Sequence, residues 1–159
     1  AMRRYAFLAL IPVIFALDRV TKYLIIRDLP VWGEIKVNSF FSIVHVRNLG
    51  GVFGILNQGG YARYIFLIVP VLVALVLIYI LIRYTMSDAR TLALSLILAG
   101  ALGNIYDRFF YGSVVDFLDL YYGSHHWPAF NVADIAVSVG IGLIVLLEIA
   151  ASRKQCSRN

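Results

Sequence analysis

Two aspartates in apolar company are the residues of this sequence best placed to do chemistry. Asp116 stands in VVDF, flanked by Val114, Val115, Phe117 and Leu118, with no basic neighbour in sequence. Asp134 stands in FNVADI, between Ala133 and Ile135 at the mouth of an apolar run. One loop separates them, and a short return of the chain can bring them together. Two carboxylates sharing a low-dielectric site cannot both ionise easily, so one pKa rises and the pair holds a single proton near neutral pH. One member then acts as a base on water and the other as an acid on a carbonyl oxygen, as in aspartic peptidases. That chemistry needs neither metal nor covalent intermediate. The sequence has no GxSxG and no HExxH, the signatures of serine and zinc hydrolases. His45, His125 and His126 have no ligand spacing, and the lone Cys156 excludes a disulfide framework.

The elements that must position these acids are membrane helices. The chain is 61% hydrophobic over 159 residues, with a mean hydropathy of +0.83, where soluble domains are about half apolar. A bilayer span needs roughly 20 apolar residues. Four spans are expected, at about 5–26, 61–82, 90–110 and 132–151, in a single membrane domain covering 1–159. The fold class is all-α and integral to the membrane, with a small extracytoplasmic β-structure between helices 1 and 2. Arg3 and Arg4 ahead of an apolar run invite a signal-peptide reading, but no small-x-small cleavage site follows. In the outer loop 27–60, EIKVNSFFSIVHV is β-branched and aromatic, with an Asn-Ser turn candidate, and reads as a hairpin. The Gly-rich stretch after it, 50–58, reads as a short helix or lid lying on the membrane. The stretch 111–131 reads as a second, aromatic outer loop. The net charge of +5 reports orientation rather than nucleic-acid binding. Arg3, Arg4, Arg83, Arg90, Arg153, Lys154 and Arg158 fall on one side. This places both termini in the cytoplasm.

Against that frame the remaining charges are out of place, each costing roughly 2.5–3.5 kcal/mol inside a span. Asp18 and Lys22 are four apart and share a helix face, as do Asn104 and Arg108; Asn131 and Asp134 are three apart. Three spans thus each offer a polar patch toward the outer end, and Asn48 in the outer loop can join them. Support roles suit Asp18, Lys22, Asn104 and Arg108. Asp107 reads as a counter-charge to Arg108, and Asp119 as a solvated loop acid. A proton- or ion-coupled carrier would also place acids within spans, but no internal repeat of the kind carriers show is present. A non-catalytic scaffold would not need two carboxylates flanking one loop.

The motifs DRVTK (18–22), RNLGGVFGIL (47–56), GALGNIYDRFFYGSVVDF (100–117) and FNVADIAVSVG (130–140), in this order over nearly the whole chain, resemble bacterial lipoprotein signal peptidase (signal peptidase II). The resemblance implies a membrane aspartyl endopeptidase of the bacterial inner membrane. It would cut diacylglyceryl-modified prolipoproteins just before the lipid-bearing cysteine, near the outer leaflet. It implies Asp116 and Asp134 as the catalytic pair. Asp18, Lys22, Asn48, Gly50, Asn104, Arg108 and Asn131 would bind substrate or support the site. No cofactor or metal is implied. The partners would be the prolipoprotein and membrane lipid, with no nucleic acid, and the chain is expected to be a monomer. One departure stands out: Gly50, Gly51 and Val52 occupy a run where the family often has alanines, which bears on the stiffness of the adjoining lid.

Overall fold

A computed structural model describes residues 2–50 and 61–156. Four long helices carry the fold: α1 (Met2–Asp28), α2 (Ala62–Arg83), α3 (Asp88–Tyr111) and α4 (Val132–Cys156). By length and composition, α2, α3 and α4 can each cross a membrane, which makes this a multi-pass membrane protein. α2 has no charge between Arg63 and Arg83 and continues through Pro70. Its outward face is lined with large apolar side chains such as Ile68, Leu72, Leu75 and Val76, a surface that suits lipid and not water. α1 is 27 residues long, but Asp18, Arg19 and Lys22 interrupt its apolar run.

α3 is central and contacts all three other helices. Ser87 starts it by accepting a hydrogen bond from the Arg90 N–H at 3.4 Å, with Asp88 in the first turn, a favourable pairing for a helix start. In lipid there is no hydrophobic drive between helices, so close backbone approach does more of the work. Gly103 permits that approach. A Cβ there would stand 2.6 Å from Asp18 Oδ2. Below this level the interior is apolar: Ala74, Leu77 and Leu81 of α2 meet Leu98 of α3, with Leu8 and Ile11 of α1 packed against them.

The β-structure is larger than a hairpin between the first two helices. β1 (Glu34–Lys36) and β2 (Phe41–Asn48) are joined across the expected Asn38–Ser39 turn region, and β3 (Val114–Tyr122) and β4 (His125–His126) complete a four-stranded antiparallel sheet in the order β1-β2-β3-β4. The stretch 111–131, expected as a loop, therefore contains two strands. Its run VVDFLDLYY is β-branched and aromatic enough to form a strand, but its partner is β2, more than 60 residues earlier. Val46 pairs with Asp116 and Asn48 with Val114. His45 ties the sheet to the end of α1: its Nδ1–H donates to the Leu29 carbonyl at 2.8 Å. After β4 the chain returns alongside β3, where Leu118 bridges Phe130, and enters α4 one residue later. The expected lid at 50–58 lies, after Gly50, outside the described residues.

Candidate active site

The return from β3 to α4 places Asn131 between the two aspartates. Asn131 is the N-cap of α4, and its Oδ1 accepts the Asp134 N–H at 2.9 Å. The Asp134 carboxylate accepts the Asn131 N–H at 3.2 Å. This is a reciprocal capping box, and it fixes the direction of Asp134. The Asn131 side-chain amide donates to Asp116 Oδ1 at 2.7 Å, so both carboxylates are held by one residue. Asn48 Nδ2 donates to the other oxygen of Asp116 at 3.0 Å. Asn48 is oriented in turn by Gly50, whose N–H donates to Asn48 Oδ1 at 2.9 Å. Gly50 has φ +90, and a side chain there would also meet the Phe66 ring, so glycine is needed on both counts. Asn104 Nδ2 donates to Asp134 at 2.7 Å.

Behind this pair lies a second set of charges. Lys22 Nζ lies 2.9 Å from Asp18 Oδ2 and 2.9 Å from Asp107 Oδ2, all three side chains fully buried. Arg19 bonds the same two acids, at 2.9 Å to Asp18 and 2.6 Å to Asp107. Each acid also anchors a backbone N–H: Asp18 accepts from Ala133 in the first turn of α4 at 3.0 Å, and Asp107 accepts from Val115 beside Asp116 at 3.0 Å. Lys22 finally donates to Asn104 Oδ1 at 3.0 Å, which turns the Asn104 amide toward Asp134. Asp107 is thus not the counter-charge of Arg108. It lies one turn beyond Gly103, where α1 approaches, and Arg108 faces the Phe66 ring at 5.8 Å. Arg108 interacts electrostatically with Asp134, Asp116 and Asp107, while its Nε has no hydrogen-bond partner among the described residues.

Arg19 was given no role in the reading of spans, and Asp107 was assigned to Arg108 instead of to this cluster. Charge counting was the signal: Asp18, Lys22 and Asp107 alone leave one buried negative charge uncompensated. Asp119 is not solvated either. It is buried on β3 and accepts a hydrogen bond or ion pair from His126 Nδ1 at 2.8 Å, because β4 folds back over it.

Burial pushes the Asp116 carboxyl up to about 6, against the hydrogen bond from Asn48; the nearby Asp134 pushes the same way, while Asn131 and Lys22 oppose it. Among the described residues no group of three or more His, Cys, Asp or Glu is arranged to hold a metal. Two surface troughs reach the pair. One runs over Asp116 between Trp32, Arg47 and Asn48. The other, largely apolar, runs from Asp134 along Ile135, Ser138 and Val139 of α4. They share Pro128 and Ala129.

Membrane-crossing helices, a sheet at one end and paired acids at their junction define a polytopic membrane protein with the layout of an aspartic hydrolase. The family model described as signal peptidase (SPase) II matches residues 10–150. Curated relatives called lipoprotein signal peptidase include one from Geobacter metallireducens, 44% identical, with 90% of each chain covered. Another, from Cupriavidus taiwanensis, is 41% identical over 92% of this chain and 84% of its own. A solved bacterial membrane enzyme superposes with a TM-score of 0.82 at 30% identity, covering 92% of this chain and 89% of that one. The chain belongs to the signal peptidase II family of aspartic-type peptidases.

Proposed function

We propose that this protein removes signal peptides from diacylglyceryl-modified prolipoproteins, cutting before the lipid-bearing cysteine, with Asp116 and Asp134 as the catalytic pair. The observation that carries the reading is the double hold of Asn131, whose side-chain amide binds Asp116 and whose backbone N–H binds Asp134. Asp116, raised by burial, keeps the proton of the pair and donates it to the scissile carbonyl oxygen. Asp134, at the positive end of α4, takes a proton from the attacking water. The water oxygen bonds to the carbonyl carbon to give a tetrahedral diol. Collapse breaks the C–N bond, the proton on Asp134 passes to the departing cysteine nitrogen, and Asp116 recovers its own. Asn48, Asn104 and Asn131 hold the acids in place; Gly50 and the Asp18–Lys22 pair hold the asparagines. Arg108 adds positive charge beside both aspartates.

The apolar trough along α4 suits the membrane-borne part of the substrate, and the trough over Asp116 suits the chain beyond the cysteine. α1 serves as the fourth span. Its charges turn inward, with Asp18 and Lys22 fully buried, while Val13, Leu17 and Val20 face outward. The basic residues at the ends of the helices favour cytoplasmic termini, which sets the pair near the outer leaflet of the inner membrane. In this reading the chain is a single membrane domain working as a monomer. The test is a purified assay on a diacylated prolipopeptide, wild type beside Asp116→Asn, with the product N-terminus read by mass spectrometry. A product beginning elsewhere than at the lipidated cysteine would sink the proposal.

A further inference from the structure

A long groove follows the α1–α3 seam, and neither proposed catalytic aspartate lines it. Its deeper part, about 500 Å³, is walled by apolar side chains, among them Ile11, Phe15, Leu102, Ile105 and Phe109. Toward the outer end it continues past Phe15 and Tyr106 into a smaller recess with Arg19, Tyr23, Ile26 and Tyr111. From Ile11 to Ile26 the seam is roughly 22 Å long at 1.5 Å per residue, close to one leaflet of a bilayer with its headgroup layer.

The outer end is cationic and aromatic. Three arginines stand over three tyrosines of the recess: Arg19 over Tyr106 at 4.5 Å, Arg47 over Tyr111 at 5.6 Å and Arg27 over Tyr23 at 6.0 Å. Arg19 is matched by Asp18 and Asp107, and Arg27 by Asp28. Arg47 stands between this recess, through Tyr111, and the trough over Asp116; among the described residues it has no carboxylate partner, so the mouth carries surplus positive charge. An apolar trough one leaflet long with a cationic mouth complements one chain of an anionic phospholipid.

We propose that this groove is a binding site for an anionic phospholipid of the outer leaflet, with one acyl chain along Ile11 to Phe109 and the phosphate at Arg47 and the tyrosine hydroxyls. The proposal takes α1 as a membrane span, as above. A bilayer lipid fits better than the lipid of a substrate, because neither Asp116 nor Asp134 lines the groove; its recess ends on Lys22, which is backed by Asp18 and Asp107.

Binding can be read without activity, by native mass spectrometry and Tm of the protein purified in a neutral detergent, with dioleoyl phosphatidylglycerol or dioleoyl phosphatidylcholine added. One phosphatidylglycerol should be retained per chain and raise Tm by roughly 5 °C at saturation. Phosphatidylcholine should bind more weakly. Ile11→Trp, which fills the groove, should weaken phosphatidylglycerol binding about tenfold or more, and Phe109→Trp, at an exposed position, serves if the first variant does not fold. Leu75→Trp, on the lipid face of α2, should bind as wild type does. Arg47→Gln should abolish the preference for the anionic lipid and leave phosphatidylcholine binding unchanged. Unaltered binding in both groove variants, or no preference between the two lipids in the wild type, overturns the proposal. Displacement of phosphatidylglycerol by a diacylglyceryl-cysteine peptide also overturns it, by giving the groove to substrate. Because no readout uses cleavage, failure here leaves the peptidase reading standing, and loss of cleavage leaves this one standing.

Discussion

Two clusters of acids lie side by side in this molecule, and they differ in who answers their charge. In the quartet Asp18, Arg19, Lys22 and Asp107, two acids meet two bases, and the sum is zero. In the pair Asp116 and Asp134, the hydrogen bonds come from neutral groups: the amides of Asn48, Asn104 and Asn131 and one backbone N–H. At Asp116 burial raises the affinity for a proton by more than the amides of Asn48 and Asn131 lower it. The first arrangement braces helices; the second is suited to moving protons. The two are joined by Lys22, which bonds Asn104, which bonds Asp134.

The contrast is broken most severely at the pair itself. Asp116→Asn or Asp134→Asn should each lower turnover by about 10³-fold or more, in the range of lost acid–base catalysis, with both variants still folded and inserted. Near-normal turnover of either variant on a diacylated substrate would remove the pair from the mechanism. Lys22→Met attacks the brace instead. It leaves Arg19 alone to answer two buried acids, with one negative charge unanswered, and breaking a buried ion pair costs about 3–5 kcal/mol, so the fold should suffer before the chemistry can be read. Unchanged unfolding of that variant in detergent would mean the quartet is dispensable.

Smaller changes sharpen the difference. Folded Asp116 titrates at about 6 against an ordinary 3.8, so the native protein binds a proton more tightly than the unfolded chain. The stability this gives is present at low pH and lost as pH rises from about 4 to 7, by up to about 3 kcal/mol. Tm measured across that window should fall because of this group, and Asp116→Asn should flatten the slope. If kcat/KM depends on protonated Asp116, its alkaline limb lies near pH 6 in the free enzyme. Asn48→Ala removes a hydrogen bond that favours the ionised form and should move that limb to higher pH; a move to lower pH would contradict the role given to Asn48. Arg108→Ala should have the least effect, a few-fold loss of rate with the cleavage position unchanged.

Several features were legible in the residues because their causes are local. A charge-free run such as 64–82, between Arg63 and Arg83, must be helical in lipid, since no water is present to satisfy its backbone. In FNVAD the spacing of Asn131 and Asp134 sets both at the start of one helix. EIKVNSFFSIVHV carries its own turn. The strand β3 was not legible, because VVDFLDLYY follows a membrane helix directly and its partner β2 lies on the far side of α2 in sequence. Asp107 was assigned to the neighbour beside it in the chain, whereas helix geometry turns it toward α1. Asp119 was read as solvated because nothing in its own segment tells of β4 closing over it.

Read alone, the sequence settles which residues are apolar enough to span a membrane and which acids stand without a cation beside them, since both follow from composition within one or two helical turns. Tertiary structure alone decides which charges answer one another. The bonds from Lys22 to Asn104 and from Ala133 to Asp18 join residues 82 and 115 positions apart. Such partners are chosen by helix packing through Gly103 and by strand pairing, not by spacing along the chain. Whether a buried acid braces or reacts depends on the charge a few ångströms away, and that neighbour exists only once the chain has folded.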